Sequence, residues 1–195
     1  ANEVLKSVHL ENIAGEKTGN KIMNILYLNK VNQFYSNNYS KNALEFIDNA
    51  LNNLQLKFEV NPDELNNIPK TGGFITISNH PYGAIEGLIL LKLINNIRPD
   101  YKFIANYLLQ KFKPLENYLF PVNPFDKTTS DYSSIKGLRA AIQYVSEGGS
   151  LGIFPAGEVS SISKNNYRID DPIWHKPVIK LIKKTNVPVV PIYFY

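Results

Sequence analysis

The sequence predicts an α/β domain with a largely parallel central sheet flanked by helices, preceded by an N-terminal helical pair. Three observations lead there. Short runs rich in β-branched and aromatic residues alternate with runs of helical period, the signature of parallel strands joined by crossover helices. The loops after three of the strand-like runs are polar and punctuated by proline and glycine, as loops at the carboxyl ends of parallel strands are when they carry a site. The composition, 195 residues with 44% hydrophobic and 19% charged, is that of a globular chain with a core of ordinary size and excludes a disordered one.

Taken in order, the elements are these. Ile22, Ile25, Leu26, Asn29 and Gln33 mix apolar and polar residues at helical spacing. Ala43, Leu44, Ile47, Ala50, Leu51 and Leu54 form a cleaner stripe, with Ser40 as the expected N-cap. These two helices make an N-terminal segment, residues 1–56, and an α/β domain is expected over residues 57–195. "LQLKFEV" reads as a strand, then "GFITISN" as a strand and "AIEGLILLKLINN" as a helix. "YKFIAN" is a strand, "YLLQKF" a short helix and "LFPVN" a strand. The stretch "SSIKGLRAAIQYVSEGG" is amphipathic through Ile135, Leu138, Ile142 and Val145, and Gly148 is placed to end it in the C′ position. "SLGIFP", "KPVIKLIKKT" and "VPVVPIYFY" complete the pattern as strand, helix and strand. The chain begins without Met and stops inside a strand-like run, so both ends are expected to be cut from a longer protein.

Composition narrows the chemistry. The absence of cysteine removes disulfides and thiolate metal sites, and three histidines are too few for a multi-histidine metal centre, so no metal and no cofactor is expected. The net charge of +4 rests on lysine, with arginine only at Arg98, Arg139 and Arg168. Arginine is the usual bidentate reader of bases, and Lys183-Lys184 is the only adjacent basic pair, so nucleic acid is not an expected partner. A mildly basic surface suits an acidic carrier protein or an anionic lipid surface. No apolar run approaches a membrane span, and no signal peptide is present. The glycine-rich loops of nucleotide binding and the G-x-S-x-G elbow of serine hydrolases are also missing.

Three loops are expected to share the carboxyl edge of the sheet: "NHPYGAIE", "VNPFD" and "FPAGEVS". The first poses the chemical question. His80 ends a strand and Glu86 lies in the first turn of the next helix. In a regular helix starting at Pro81 the two would stand about 240° apart around the axis, on different faces. A His–Glu pair therefore needs an irregular turn, which Pro81 and Gly83 permit. Spacing leaves two readings open. Either Glu86 orients His80 as a general base, or His80 caps the helix and Glu86 complements its positive end.

The wider pattern resembles a known family. "NHPYGAIE", "PVNPFD", "FPAGEVS" and "VPVVPIYF" occur in the order and at about the spacing of the four blocks of the lysophospholipid acyltransferase superfamily, which includes the glycerol-phosphate acyltransferases. The resemblance covers roughly Ile75 to Tyr195. The common first block is H-x-x-x-x-D and the common third block F-P-E-G-T-R-S. This chain has H-x-x-x-x-x-E from His80 to Glu86 and F-P-A-G-E-V-S from Phe154 to Ser160. Those departures, with "FIANYLL" and "DDPIW", resemble the "hemolysin-like" branch, whose members include O-acyltransferases of ornithine and related amino-acid lipids.

By position, the resemblance makes His80 the general base and Glu86 its orienting carboxylate. It implies transfer of a fatty acyl group from acyl-carrier protein or acyl-CoA to a hydroxyl of a lyso-lipid, without an acyl-enzyme. It places Asn79, Gly83, Asn123, Phe125, Arg139, Pro155, Gly157, Glu158 and Trp174 around the substrates. Asn123, Phe125 and Asp126 are expected to shape the pocket. Val159 stands where glycerol-phosphate enzymes hold the acceptor phosphate with arginine, and Glu158 where they have threonine. A lyso-amino-acid lipid is therefore the expected acceptor, with Arg139, Arg168 and Lys164 as the cations that could reverse this. The expected location is cytoplasmic, peripheral at the inner face of the cytoplasmic membrane. Two other functions share the scaffold: a non-catalytic module that binds lipid or acyl carrier, and an acyl thioesterase in which water replaces the acceptor.

Overall fold

The computed structural model describes residues 28–123, 132–162 and 169–195. The chain divides into two compact units, Ala1–Leu56 and Lys57–Tyr195.

In the first unit, helices α1 (Leu28–Asn38) and α2 (Ala43–Asn53) are joined by a short turn and touch each other. Tyr35 of α1 meets Phe46 of α2 edge to face, with ring centroids 5.8 Å apart. Ala43, Phe46, Ile47, Ala50 and Leu51 are buried. Phe46 thus joins the stripe read from the sequence, while Leu54 is exposed. The N-cap is Asn42 and not Ser40: Asn42 has an extended backbone, and its Oδ1 accepts from the amides of Leu44 and Glu45. Ser40 Oγ instead accepts from the Asn42 amide and donates to Glu45 Oε2. Ile22, Ile25 and Leu26 lie outside the described residues.

The second unit opens with "LQLKFEV" running into it, and this stretch is not a strand. Its period-2 pattern finds no neighbour to complete a hydrogen-bond ladder. After the single turn α3 (Pro62–Leu65) come β1 (Phe74–Ser78), α4 (Ala84–Asn95) and β2 (Lys102–Asn106). Two 3₁₀ turns, Tyr107–Lys111 and Lys113–Tyr118, lead to β3 (Leu119–Val122). Then follow α5 (Tyr132–Ser146), β4 (Ser150–Ile153), the two-residue pair β5 (Ser161–Ile162) and β6 (Ile169–Asp170), α6 (Lys176–Thr185) and β7 (Val189–Ile192). The five longer strands make one sheet in the order β3-β2-β4-β1-β7. Every pairing in it is parallel, so the largely parallel sheet is parallel throughout its described strands. β5 and β6 form a separate antiparallel pair that the sequence patterning did not announce.

The sheet has two different faces. Ile75, Leu151 and Ile153 point to a core completed by Ala141 and Val145 of α5 and Leu181 of α6. The other face is aromatic, carrying Phe74, Tyr101, Phe103 and Phe154. Gly152 lies under the Phe103 and Tyr101 rings, where any Cβ would collide with them, which explains a glycine inside a central strand. Helix α5 ends as the sequence predicts. Gly148 has φ +99°, its amide bonds to the Val145 carbonyl, and the Gly149 amide reaches the Tyr144 carbonyl, a Schellman closure. Helix, strand and cap together aim the carboxyl ends of β1 and β4, which are neighbours, at one edge of the unit.

Candidate active site at the carboxyl edge of the sheet

The turn after β1 is irregular in the way a His–Glu pair requires. Helix α4 begins only at Ala84, and Gly83 precedes it with φ +76° and ψ −130°, a conformation open to glycine and strained for other residues. Pro81, Tyr82 and Gly83 carry the chain around, so that Glu86 in the first turn of α4 points back under the strand end. Its Oε1 accepts from the Tyr82 amide, satisfying a donor that the helix start leaves free. Its Oε2 lies 3.6 Å from His80 Nδ1. Glu86 is fully buried, and neither His80 Nδ1 nor Glu86 Oε2 has a hydrogen-bond partner among the described residues. A buried carboxylate oxygen without a partner is costly, and among the described residues the complementary group facing it is the imidazole. The separation exceeds a hydrogen bond, and a closure of about 0.5 Å would make one. One Glu86 oxygen thus accepts from the turn before the helix and the other faces the histidine, while no side chain caps the helix, so His80 is not its cap.

The imidazole is held on two further sides. It stacks on Phe154, with ring centroids 4.0 Å apart and planes 19° from parallel. Its main chain is gripped at both ends, the amide by Asp171 Oδ1 at 3.2 Å and the carbonyl by the Ser160 amide at 2.9 Å. Ser160 Oγ donates to the same Asp171 oxygen. The side chain keeps 16% of its surface exposed while Nδ1 is buried, so its open surface lies on other atoms of the residue.

The loop after β4 builds the rest of the site. Pro155 and Ala156 are buried, and the Pro155 carbonyl accepts from the His175 amide. Gly157 has φ +67° and packs so close to the His175 ring that a Cβ would lie 3.2 Å from it. Glu158 is exposed, as is Val159. Val159 reaches toward Gly83, 3.8 Å from where a Cβ would stand, so the two loops meet beside the turn after β1. A groove of about 490 Å³ opens next to them, lined by Ser78, Asn79, Asp171, Trp174, Pro191 and Tyr193 among others.

The residues singled out from the sequence fall into three groups. His80, Glu86, Gly83, Pro155, Gly157 and Glu158 belong to the two loops just described. Asn79 and Trp174 line the groove, but the Asn79 amide is spoken for: its Nδ2 donates to the Phe194 carbonyl at 2.6 Å and its Oδ1 accepts from the Phe194 amide at 2.7 Å. Asn123 ends β3, two strands away from β4, and is half-buried. Arg139 is exposed on α5, and among the described residues no contact joins it to the histidine cluster. Phe125, Asp126, Lys164 and Arg168 lie outside the described residues. Phe154 and Ser160 were quoted within a block without a role, and Asp171 only as part of "DDPIW". The structure gives each a contact to His80.

Among the described residues, no group of histidine and carboxylate side chains could hold a metal ion. No described helix is long and apolar enough to cross a membrane.

The site is thus a histidine and a buried carboxylate at the carboxyl edge of an all-parallel sheet in an α/β unit. Residues 20–195 match the protein family described as "Acyltransferase", and the chain belongs to that family. A lyso-glycine lipid O-acyltransferase of Bacteroides thetaiotaomicron is 28% identical over 171 residues, which cover 87% of this chain and 60% of that protein. One of the same name from Phocaeicola vulgatus is 23% identical over 199 residues, covering 96% of this chain and 68% of that protein. The chain thus spans less than two thirds of the length of the first of these relatives.

Proposed function

We propose that this chain carries the acyl-transfer site of an O-acyltransferase that moves a fatty acyl group from an acyl thioester to the hydroxyl of a lyso-amino-acid lipid. The observation that carries the reading is the His80–Glu86 pair at the end of β1 in a chain of the acyltransferase family. His80, whose Nδ1 faces Glu86, takes the hydroxyl proton of the acceptor on Nε2 as that oxygen attacks the thioester carbonyl. The tetrahedral adduct collapses, the carbon–sulfur bond breaks, and the proton passes from the imidazolium to the departing thiolate. The donor is acyl-carrier protein or acyl-CoA, and the protein works at the inner face of the cytoplasmic membrane as a peripheral enzyme.

The acceptor assignment rests on the β4 loop. Val159 stands exposed beside Gly83 and offers no charge to a phosphate, and the exposed Glu158 next to it repels one. The names of the two relatives, which specify a lyso-glycine lipid, agree with an amino-acid head group. The test is a competition assay on the full-length protein with equal concentrations of an N-acylated amino-acid lyso-lipid and lyso-phosphatidic acid, supplied with labelled acyl thioester. Preferential acylation of the amino-acid lipid is expected. Preference for lyso-phosphatidic acid would overturn the acceptor, hydrolysis without transfer would make the protein a thioesterase, and binding alone would make it a lipid or carrier module.

A further inference from the structure

We propose that Asp171 is a positioning residue for His80. The inference rests on His80 acting as the base and extends it to a residue 91 positions away. Asp171 follows the β5/β6 pair, and its Oδ1 accepts two hydrogen bonds, one from the His80 amide at 3.2 Å and one from Ser160 Oγ. Ser160 in turn donates its own amide to the His80 carbonyl at 2.9 Å. Asp171 and Ser160 therefore form a bracket that fixes the main chain of His80 from both sides of its Cα.

Such a bracket matters because the ring itself is loosely tied. The Nδ1 to Oε2 separation of 3.6 Å is longer than a hydrogen bond, and stacking on Phe154 restrains tilt more than in-plane rotation. What then sets the distance between imidazole and acceptor hydroxyl is where the Cα of His80 sits. A carboxylate is suited to the task, since a charge-assisted acceptor holds two donors more firmly than a neutral one. Asp171 also lines the groove beside the site, so the same side chain links the wall of the groove to the base.

The experiment compares Asp171→Ala, Asp171→Asn, Ser160→Ala and His80→Ala in the full-length protein, by steady-state kinetics with an acyl thioester and a lyso-amino-acid lipid. Imidazole ¹H–¹⁵N spectra are recorded alongside. Asp171→Ala is expected to lower kcat by about 10–10²-fold, the scale of a misplaced catalytic group. KM for the thioester should stay within about twofold, because ground-state binding is untouched. The His80 ring signals should shift. Asp171→Asn should retain most of kcat and the native ring signals, since its amide oxygen can accept both bonds. Ser160→Ala should lower kcat by about three- to tenfold, the loss of one hydrogen bond. Unchanged kcat in Asp171→Ala with His80→Ala inactive would overturn the positioning role alone. Near-normal activity in His80→Ala would overturn the base on which it rests. Ser160→Ala keeps both bonds to the His80 main chain and tests only the link between the two arms. Should Asp171→Ala fail to fold, Asp171→Asn decides: a loss of kcat in that variant, folded and with native His80 ring signals, refutes the bracket.

Discussion

Arg98 and His80 stand at opposite ends of one parallel sheet, and the two ends are built on opposite principles. At the amino end Arg98 uses every donor it has. The five N–H groups of Arg98 reach both carboxylate oxygens of Asp100 and the carbonyls of Pro69, Gly72 and Gly148. The guanidinium also lies 5.2 Å from the centre of the Phe74 ring. Asp100 turns its other capacity to the Ser150 amide, and its carbonyl accepts from Tyr144 Oη. At the carboxyl end, His80 Nδ1, Glu86 Oε2 and Ser78 Oγ are buried and lack partners among the described residues. The amino end has one such atom, Ser150 Oγ. The Arg98 network is tied down bond by bond, whereas the buried His80 Nδ1 and Glu86 Oε2 face each other without a closed bond.

The two ends are joined by a column of rings. Phe74 stacks on Tyr101, Tyr101 meets Phe103 edge to face, Phe103 stacks on Phe154, and Phe154 carries His80. A rigid aromatic face between a saturated anchor and an unsaturated site lets the site stay open without loosening the sheet. This division of labour yields four expectations, each of which separates turnover from stability.

The largest effect belongs to His80→Ala. Turnover should fall by about 10²–10⁴-fold, the contribution of a positioned acid–base group. Thermal unfolding should change little, because the bonds of the His80 main chain to Asp171 and Ser160 survive the substitution. A well-folded variant with near-normal transfer would erase the distinction between the two ends.

Glu86→Gln comes next, and the structure gives it a specific mechanism. The Tyr82 amide demands an acceptor, so the glutamine must place its oxygen there and its NH₂ toward His80. That NH₂ would donate to Nδ1 and fix the tautomer that carries its proton on Nε2, leaving no basic nitrogen for the acceptor. A loss of about 10²-fold in kcat is expected, toward the scale of a wrong-tautomer substitution in a catalytic triad. Little loss would mean that Glu86 serves the helix start alone.

At the other end, Arg98→Ala should leave kcat per folded molecule unchanged and cost stability. Removing one partner of a buried pair strands the other groups, but Asp100 is 38% exposed and water recovers part of the loss. About 2 kcal/mol is therefore expected, below the range for a fully buried pair. Denaturant unfolding measures it, and a change in turnover without one in stability would contradict the assignment.

How far the sequence reveals these two ends differs for physical reasons. Alternation of strand and helix periods, the Gly148 closure and the loops after β1 and β4 are local patterns, and each is found where it was read. The irregular Pro81 to Gly83 turn is one that proline and glycine permit but do not impose, since proline also begins regular helices. Capping at Asn42 was less legible, because Ser40 and Asn42 both have the chemistry of a cap and only backbone dihedrals separate them. "LQLKFEV" shows that a strand is a property of two segments, since its alternation is sound and its partner is missing. Arg98 was read only as one of three arginines, and Asp171 only as part of a motif. Asp100 is near Arg98 in sequence, but the Gly72 and Gly148 carbonyls lie 26 and 50 residues from Arg98 and the His80 amide lies 91 from Asp171, and no periodicity spans such distances.

The smallest expected effect concerns acid and tests the amino end by charge alone. Partial burial pushes the Asp100 carboxyl up, but hydrogen bonds and charge from Arg98, with help from the backbone and Ser150, outweigh it and hold the carboxyl below its ordinary value of 3.8. A carboxyl depressed in the folded state adds stability that is fully present above its unfolded pKa and is lost as pH falls through the folded value. The stability gap between the wild-type protein and Asp100→Asn should therefore be constant from neutral pH down to about 5 and should close below about 4. Because Asp100 is partly solvated, added salt should narrow the gap at neutral pH as well. A gap that persists in acid would show that Asp100 anchors the sheet through the shape of its side chain and not through its charge.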